Sequence, residues 1–349
     1  MSQNYPNNND TQNDYRQYDT AYRESYNKNN IPISNLGNQI YYRKPGFDAG
    51  TILWPALAIL VYLISTYAVT IGVVFFSMIT NTNLYSEFIT SSDVQIIMDL
   101  VMGNYYLITI ISSVITLFVL WLLLRWRNRR EIDYVLKDRL KISNTVGIVV
   151  LALGTLALSQ LWMVLVDFLA QHIPYFARAI ESYSVVTVTI ESDNLILMTI
   201  VLAIIVPIVE ELLFRGVLLS ELRRVMPGWL AATLIGVFFG LFHGNLGQGV
   251  YAAIAGVVMG LVYVWTNSIW APILFHMVYN FFGGVVPTMI EKYGWLENAD
   301  NSVAVILLLV VFALLVLGAI ALISMYRNRG GERKPQPVVR EEFRGFIET

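Results

Sequence analysis

Long stretches of this chain are almost free of polar residues, and short polar or basic segments separate them. A bilayer core is about 30 Å thick, so a helix rising about 1.5 Å per residue needs roughly 20 apolar residues to cross it. By that measure eight spans are expected, near 52–79, 105–124, 144–170, 195–219, 229–244, 249–266, 271–290 and 302–325. The predicted fold is an all-α polytopic membrane protein of about eight transmembrane helices. An open strand would leave backbone groups unpaired in lipid, and no segment shows the two-residue alternation of a barrel strand. The fifth span is short: about sixteen residues cover roughly 24 Å. It runs into the polar, glycine-rich "HGNLGQG" (243–249), where irregular backbone and a wet cavity beside His243 are expected.

The pattern divides the chain into a polar tail (1–45), three N-terminal spans with their loops (46–194), a membrane core (195–290), a last helix (291–326) and a C-terminal tail (327–349). The tail is rich in Asn, Tyr, Gln and Asp, without an apolar run, and reads as disordered and cytoplasmic. Lys and Arg set the orientation. Arg43 and Lys44 precede the first span, "RWRNRREIDYVLKDRLK" (125–141) follows the second, Arg223 and Arg224 follow the fourth, and Arg327, Arg329, Arg333 and Lys334 follow the eighth. The loop at 80–104 has no basic residue and that at 171–194 has only Arg178. An even number of spans with both termini inside satisfies every cluster. The expected location is a plasma membrane, with a bacterial host as the working assumption. Gly236 and Gly240 are spaced four apart, as are Ala252, Gly256 and Gly260, a spacing that lets helix backbones approach. Spans five and six are therefore expected in the middle of the bundle.

Composition agrees with a membrane protein. Of 349 residues, 56% are hydrophobic and only 14% charged, against about 25% charged in soluble domains. The net charge of −2 carries no cationic patch of the nucleic-acid type, so no nucleic-acid partner is expected. With no cysteine, thiol catalysis, thiolate metal sites and disulfides are excluded. Imidazole chemistry must come from His172, His243 or His276.

The costly feature is "VPIVEELLFRGVLL" (206–219), which sets Glu210, Glu211 and Arg215 inside an apolar span. A central charge costs roughly 3 kcal/mol on insertion scales. Glu211 and Arg215 are four apart with the acid first, the favourable order for a neutralising pair. Glu210 points about 100° away and is left over. A carboxylate of this kind is a natural general base or acid. His243 ends "VFFGLFH", and "APILFHMVYN" places His276 and Asn280 four apart on one face. Polar groups in lipid seek each other in the bundle interior, so Glu210, His243, His276 and Asn280 can share one wet pocket. His172, in "AQHIPYF", reads as an interfacial residue. The set offers a carboxylate and an imidazole to deprotonate water, and two hydrogen-bond donors for an oxyanion. A divalent metal such as zinc held by Glu210, His243 and His276 is the alternative, although the helical H-E-x-x-H pattern is absent.

"EELLFRG" (210–216), "FGLFH" (239–243) and "HMVYN" (276–280) resemble, in order and intact, the three motifs of the intramembrane CPBP family. That family joins type II CAAX prenyl endopeptidases with bacterial Abi-type proteins. The resemblance covers about 195–285. It implies an intramembrane protease in which Glu210 and His243 activate water, His276 and Asn280 form the oxyanion hole, and Glu211 and Arg215 support them. No obligatory metal cofactor is implied. The implied partners are the lipid bilayer and a membrane-associated peptide or protein substrate; oligomeric state is left open. Two other functions compete: a non-catalytic scaffold or bacteriocin-immunity protein, and a transporter, against which the chain shows no internal repeat. One geometric condition follows. Glu210 lies about 20 Å before Arg223, whereas His276 lies roughly 9 Å into its span. They meet only if span four continues as helix beyond the membrane.

Overall fold

The computed structural model describes residues 47, 49–81, 86, 88, 94–127, 140, 142–190, 194–297 and 301–328. The expected tails at 1–45 and beyond 328 and most of the basic segment 125–141 lie outside these residues. The described residues form helices joined by short turns, with no strand among them. In chain order they are α1 (Ala49–Thr80), α2 (Val94–Gly103), α3 (Tyr105–Arg127), α4 (Ile142–Ala170) and α5 (Pro174–Ile190), then α6 (Leu195–Val225), α7 (Gly228–Phe242), α8 (Leu246–Thr266), α9 (Trp270–Lys292) and α10 (Asn301–Arg327). Seven of these, α1, α3, α4, α6, α8, α9 and α10, are long and apolar enough to cross a membrane. The chain is an all-α polytopic membrane protein.

The fifth expected span is α7. At 15 residues it covers about 22 Å, less than a bilayer core. Two segments read as loops contain helices, α2 within 80–104 and α5 within 171–194. The irregular "HGNLGQG" also needs correcting. Only His243, Gly244 and Asn245 are non-helical, because the Asn245 side chain accepts the Gln248 N–H at 2.7 Å and starts α8 at Leu246.

Helices α6 to α9 hold most of the core, which includes Leu213, Phe214, Met259 and Phe275. α1 and α10 instead expose rows of large apolar side chains such as Ile64, Ile71, Leu308 and Phe312. Within a bilayer these meet acyl chains, so their exposure carries no hydrophobic penalty. Small residues decide which helices touch. A Cβ on Gly256 would sit 2.9 Å from the Gly236 carbonyl oxygen, and one on Gly260 would sit 2.9 Å from Ala232 Cβ. α7 and α8 thus meet backbone to backbone, the packing available where lipid supplies no hydrophobic drive. The same device joins α4 to α10. A Cβ on Gly154 would lie 2.6 Å from the Gly318 Cα.

α6 is one helix from Leu195 to Val225, so span four does continue past its apolar run. It is not uniform. Two widened, π-helical stretches, Val201–Ile205 and Leu212–Leu219, flank the α-helical turns Val206–Glu211. The first has a cause in the sequence. Pro207 has no N–H, and its ring crowds the carbonyl four residues earlier. Widening relieves the clash: the Val206 N–H reaches back five residues, to the Val201 carbonyl. α9 repeats the arrangement, with a π-helical stretch at Phe281–Val285 before Val286 and Pro287. Such bulges occur often at functional sites.

Candidate functional site

Glu210 and Glu211 end the α-helical turns between the two bulges of α6. Adjacent helical positions point about 100° apart, so the two carboxylates have different surroundings. Glu211 is fully buried, as is Arg215 one turn later. Arg215 Nη1 donates to Glu211 Oε1 at 2.9 Å, and Nη2 donates to the Gly256 carbonyl at 2.8 Å. Gly256 is the residue at which α7 and α8 meet. The guanidinium therefore ties α6 to the glycine seam, and its face lies 4.9 Å from the centre of the Phe239 ring.

Glu211 has a second donor. His276 Nδ1 lies 2.9 Å from the same Oε1. A carboxylate oxygen only accepts, so the Nδ1 proton sits between them and the other ring nitrogen faces away. That nitrogen, Nε2, lies 3.8 Å from Glu210 Oε2. The two carboxylates thus bracket one imidazole, and the geometric condition on Glu210 and His276 is met. Glu210 keeps part of its side chain accessible (16%) and makes no contact ion pair with a Lys or Arg among the described residues.

His243 caps the C-terminus of α7. Its Nδ1 lies 2.8 Å from the Phe239 carbonyl. A carbonyl cannot donate, so Nδ1 carries the proton and Nε2 holds the lone pair in the neutral ring. That is the form able to accept a proton. Phe239 is the hub of the arrangement: its ring meets His243 at 4.8 Å and His276 at 5.8 Å, both edge to face. Glu210, Glu211, Arg215 and His276 are joined by direct contacts, and His243 joins them through Phe239.

Asn280 takes a different place. Its Nδ2 donates to the Leu202 carbonyl at 2.9 Å, on the first bulge of α6. His172 is outside the cluster; it is exposed at the end of α4, with Nδ1 3.2 Å from the Phe168 carbonyl. No three His, Asp or Glu side chains among the described residues are grouped to hold a metal ion. The expected alternative ligand set of Glu210, His243 and His276 is therefore not assembled here.

Two tyrosines outside the three motifs complete the surroundings. Tyr62 of α1 and Tyr105 of α3 lie within electrostatic range of Glu210. Sequence reasoning missed both. A tyrosine in an aromatic-rich span carries no spacing signal, and only the packing of α1 and α3 on α6 brings them there.

Residues 192–282 match the family model described as type II CAAX prenyl endopeptidase Rce1-like, a range that holds all six motif residues. YdiL of Bacillus subtilis (strain 168), whose designation as a membrane peptidase is provisional, is 29% identical over 164 residues, 44% of this chain. The membrane-embedded CAAX protease MroQ of Staphylococcus aureus (strain USA300) is 36% identical over 87 residues, 23% of this chain. The matched regions span 66% of YdiL and 35% of MroQ. No solved structure matches the chain significantly. Over residues 192–282 the chain is thus similar to the Rce1-like type II CAAX prenyl endopeptidases.

Proposed function

We propose that the protein is an intramembrane endopeptidase that hydrolyses a peptide bond of a membrane-associated protein or peptide with activated water. Glu210 takes a proton from water as the oxygen attacks the carbonyl carbon, and His243 Nε2 holds that water. The tetrahedral oxyanion accepts from the imidazole of His276 and from the second N–H of Asn280. Collapse breaks the C–N bond, and Glu210 returns the proton to the departing amine. Glu211 and Arg215 hold the imidazole and the helix seam without touching substrate. No step passes through a metal.

The observation that carries this reading is the bracketed imidazole: His276 on Glu211 at 2.9 Å and 3.8 Å from Glu210, inside the segment matching a protease family. The lone pair of His243 supports it, because an acceptor of the water's second hydrogen bond orients the oxygen for attack. Both termini are proposed to face the cytoplasm of a bacterial cell.

The test is turnover of fluorogenic peptides, lipidated ones included, by purified protein in liposomes with and without a chelator. Wild type cleaves, and His243→Ala, which no longer holds the water for Glu210 to deprotonate, cleaves at least about 100-fold more slowly. A His243→Ala variant that cleaves at the wild-type rate contradicts the role given to His243. A non-catalytic binding protein predicts that this variant keeps its full biological effect.

A further inference from the structure

The hydrogen bond from Asn280 to Leu202 has a cause that reaches beyond any reaction. In a regular helix the Leu202 carbonyl would accept from the N–H of residue 206, and in a π-helix from that of residue 207. Val206 has its N–H turned back to the Val201 carbonyl. Residue 207 is proline and has none. Both helical donors for Leu202 are lost, in a segment where Leu202 itself is buried. An unpaired backbone carbonyl in a bilayer is among the costliest local defects. The Asn280 amide reaches this carbonyl, 2.9 Å away. Because an amide oxygen could not bond there, the contact also fixes which way the amide points.

The consequence lies one turn away. His276 and Asn280 are four apart on α9. His276 binds Glu211 of α6 and Asn280 binds Leu202 of α6. As the number rises on α9 it falls on α6, so the helices run antiparallel and these contacts are two rungs between them. One rung holds the functional cluster; the other is anchored to a backbone defect that Pro207 creates.

We propose that Asn280 also positions the site: the N–H it gives to Leu202 closes the carbonyl orphaned by Pro207 and thereby sets the register that brings His276 between Glu210 and Glu211. The proposal does not depend on what reaction the site performs.

It is tested with the full chain in detergent, as wild type, Asn280→Leu, Pro207→Ala and the double variant. Leucine keeps the branched shape of Asn280, with somewhat greater bulk, and removes its donor. Two signals are read: the thermal midpoint and the ¹⁵N imidazole resonances of His276, identified in a chain with only three histidines through a His276→Gln reference. Asn280→Leu should lower the midpoint by about 3 °C or more and shift the His276 resonances. Alanine at 207 restores an N–H, so in that background Asn280→Leu should lose less than half as much and leave His276 nearly unmoved. Asn280→Gln, which keeps an amide donor, should fall between wild type and Asn280→Leu. Equal losses in both backgrounds, or unchanged His276 resonances in Asn280→Leu, would overturn the proposal. If Pro207→Ala does not fold, the comparison of Asn280→Gln with Asn280→Leu decides: equal behaviour of the two overturns it.

Discussion

Glu211 and Glu210 are neighbours with opposite tolerances. Among the described residues Glu211 alone binds the fully buried Arg215 as a carboxylate, and one of its oxygens serves both Arg215 and His276. Removing it leaves a buried guanidinium with no bound countercharge, a change worth about 3–5 kcal/mol in buried pairs. Glu211→Ala should therefore lose most of its folded protein in a detergent thermal scan, whereas Glu210→Gln should unfold within a few degrees of wild type. Similar midpoints for the two would contradict the assignment of Glu211 to support. At this scale the sequence was partly legible. The spacing of Glu211 and Arg215 predicted a pair, and the intact motifs pointed to His243, His276 and Asn280. Three features were not legible: the second donor on Glu211, the hub at Phe239, and the approach of Tyr62 and Tyr105. Each depends on which helix faces which, and a single apolar span does not encode its neighbour.

Among the elements, α6 and the α7–α8 seam do most to define the site. Gly256 is both the contact point of α7 with α8 and the acceptor for Arg215. Gly236 faces it, so a large side chain there must push the helices apart. Gly236→Leu should lower the thermal midpoint and reduce turnover together, whereas Gly72→Leu on α1, where a Cβ meets nothing within 4 Å, should change neither. Unchanged behaviour of Gly236→Leu would show that close approach is not required. The small-residue spacing on spans five and six could be read from the sequence because the residues recur along one helix. The crossing of Gly154 with Gly318 could not, since neither glycine has a small residue four positions away in its own span. The bulges were equally hidden. In a uniformly apolar helix a turn of about 3.6 residues and a wider one leave the same hydrophobic pattern; Pro207 and Pro287 mark two of the three places, and the stretch Leu212–Leu219 has no such mark. α2 and α5 were missed because they lie between spans, in segments read only as connecting loops.

For the whole molecule, the run of spans was readable because about 20 apolar residues are what lipid demands. The basic clusters predict which end faces which compartment, and that prediction is testable directly in a chain with no cysteine. Glu181 on α5 and Asn328 after α10 are both exposed. In intact spheroplasts a membrane-impermeant maleimide should label Glu181→Cys but not Asn328→Cys, and lysis should make both reactive. Labelling of Asn328→Cys in intact spheroplasts would reverse the orientation.

The central claim is that Glu210 activates water for peptide hydrolysis inside the bundle. Its most direct test is wild type against Glu210→Gln, matched for folding by thermal midpoint, acting on one cleaved peptide in the same liposomes. The account predicts cleavage by wild type and a loss of at least about 100-fold in Glu210→Gln at an unchanged midpoint. Equal cleavage by the two proteins would contradict it.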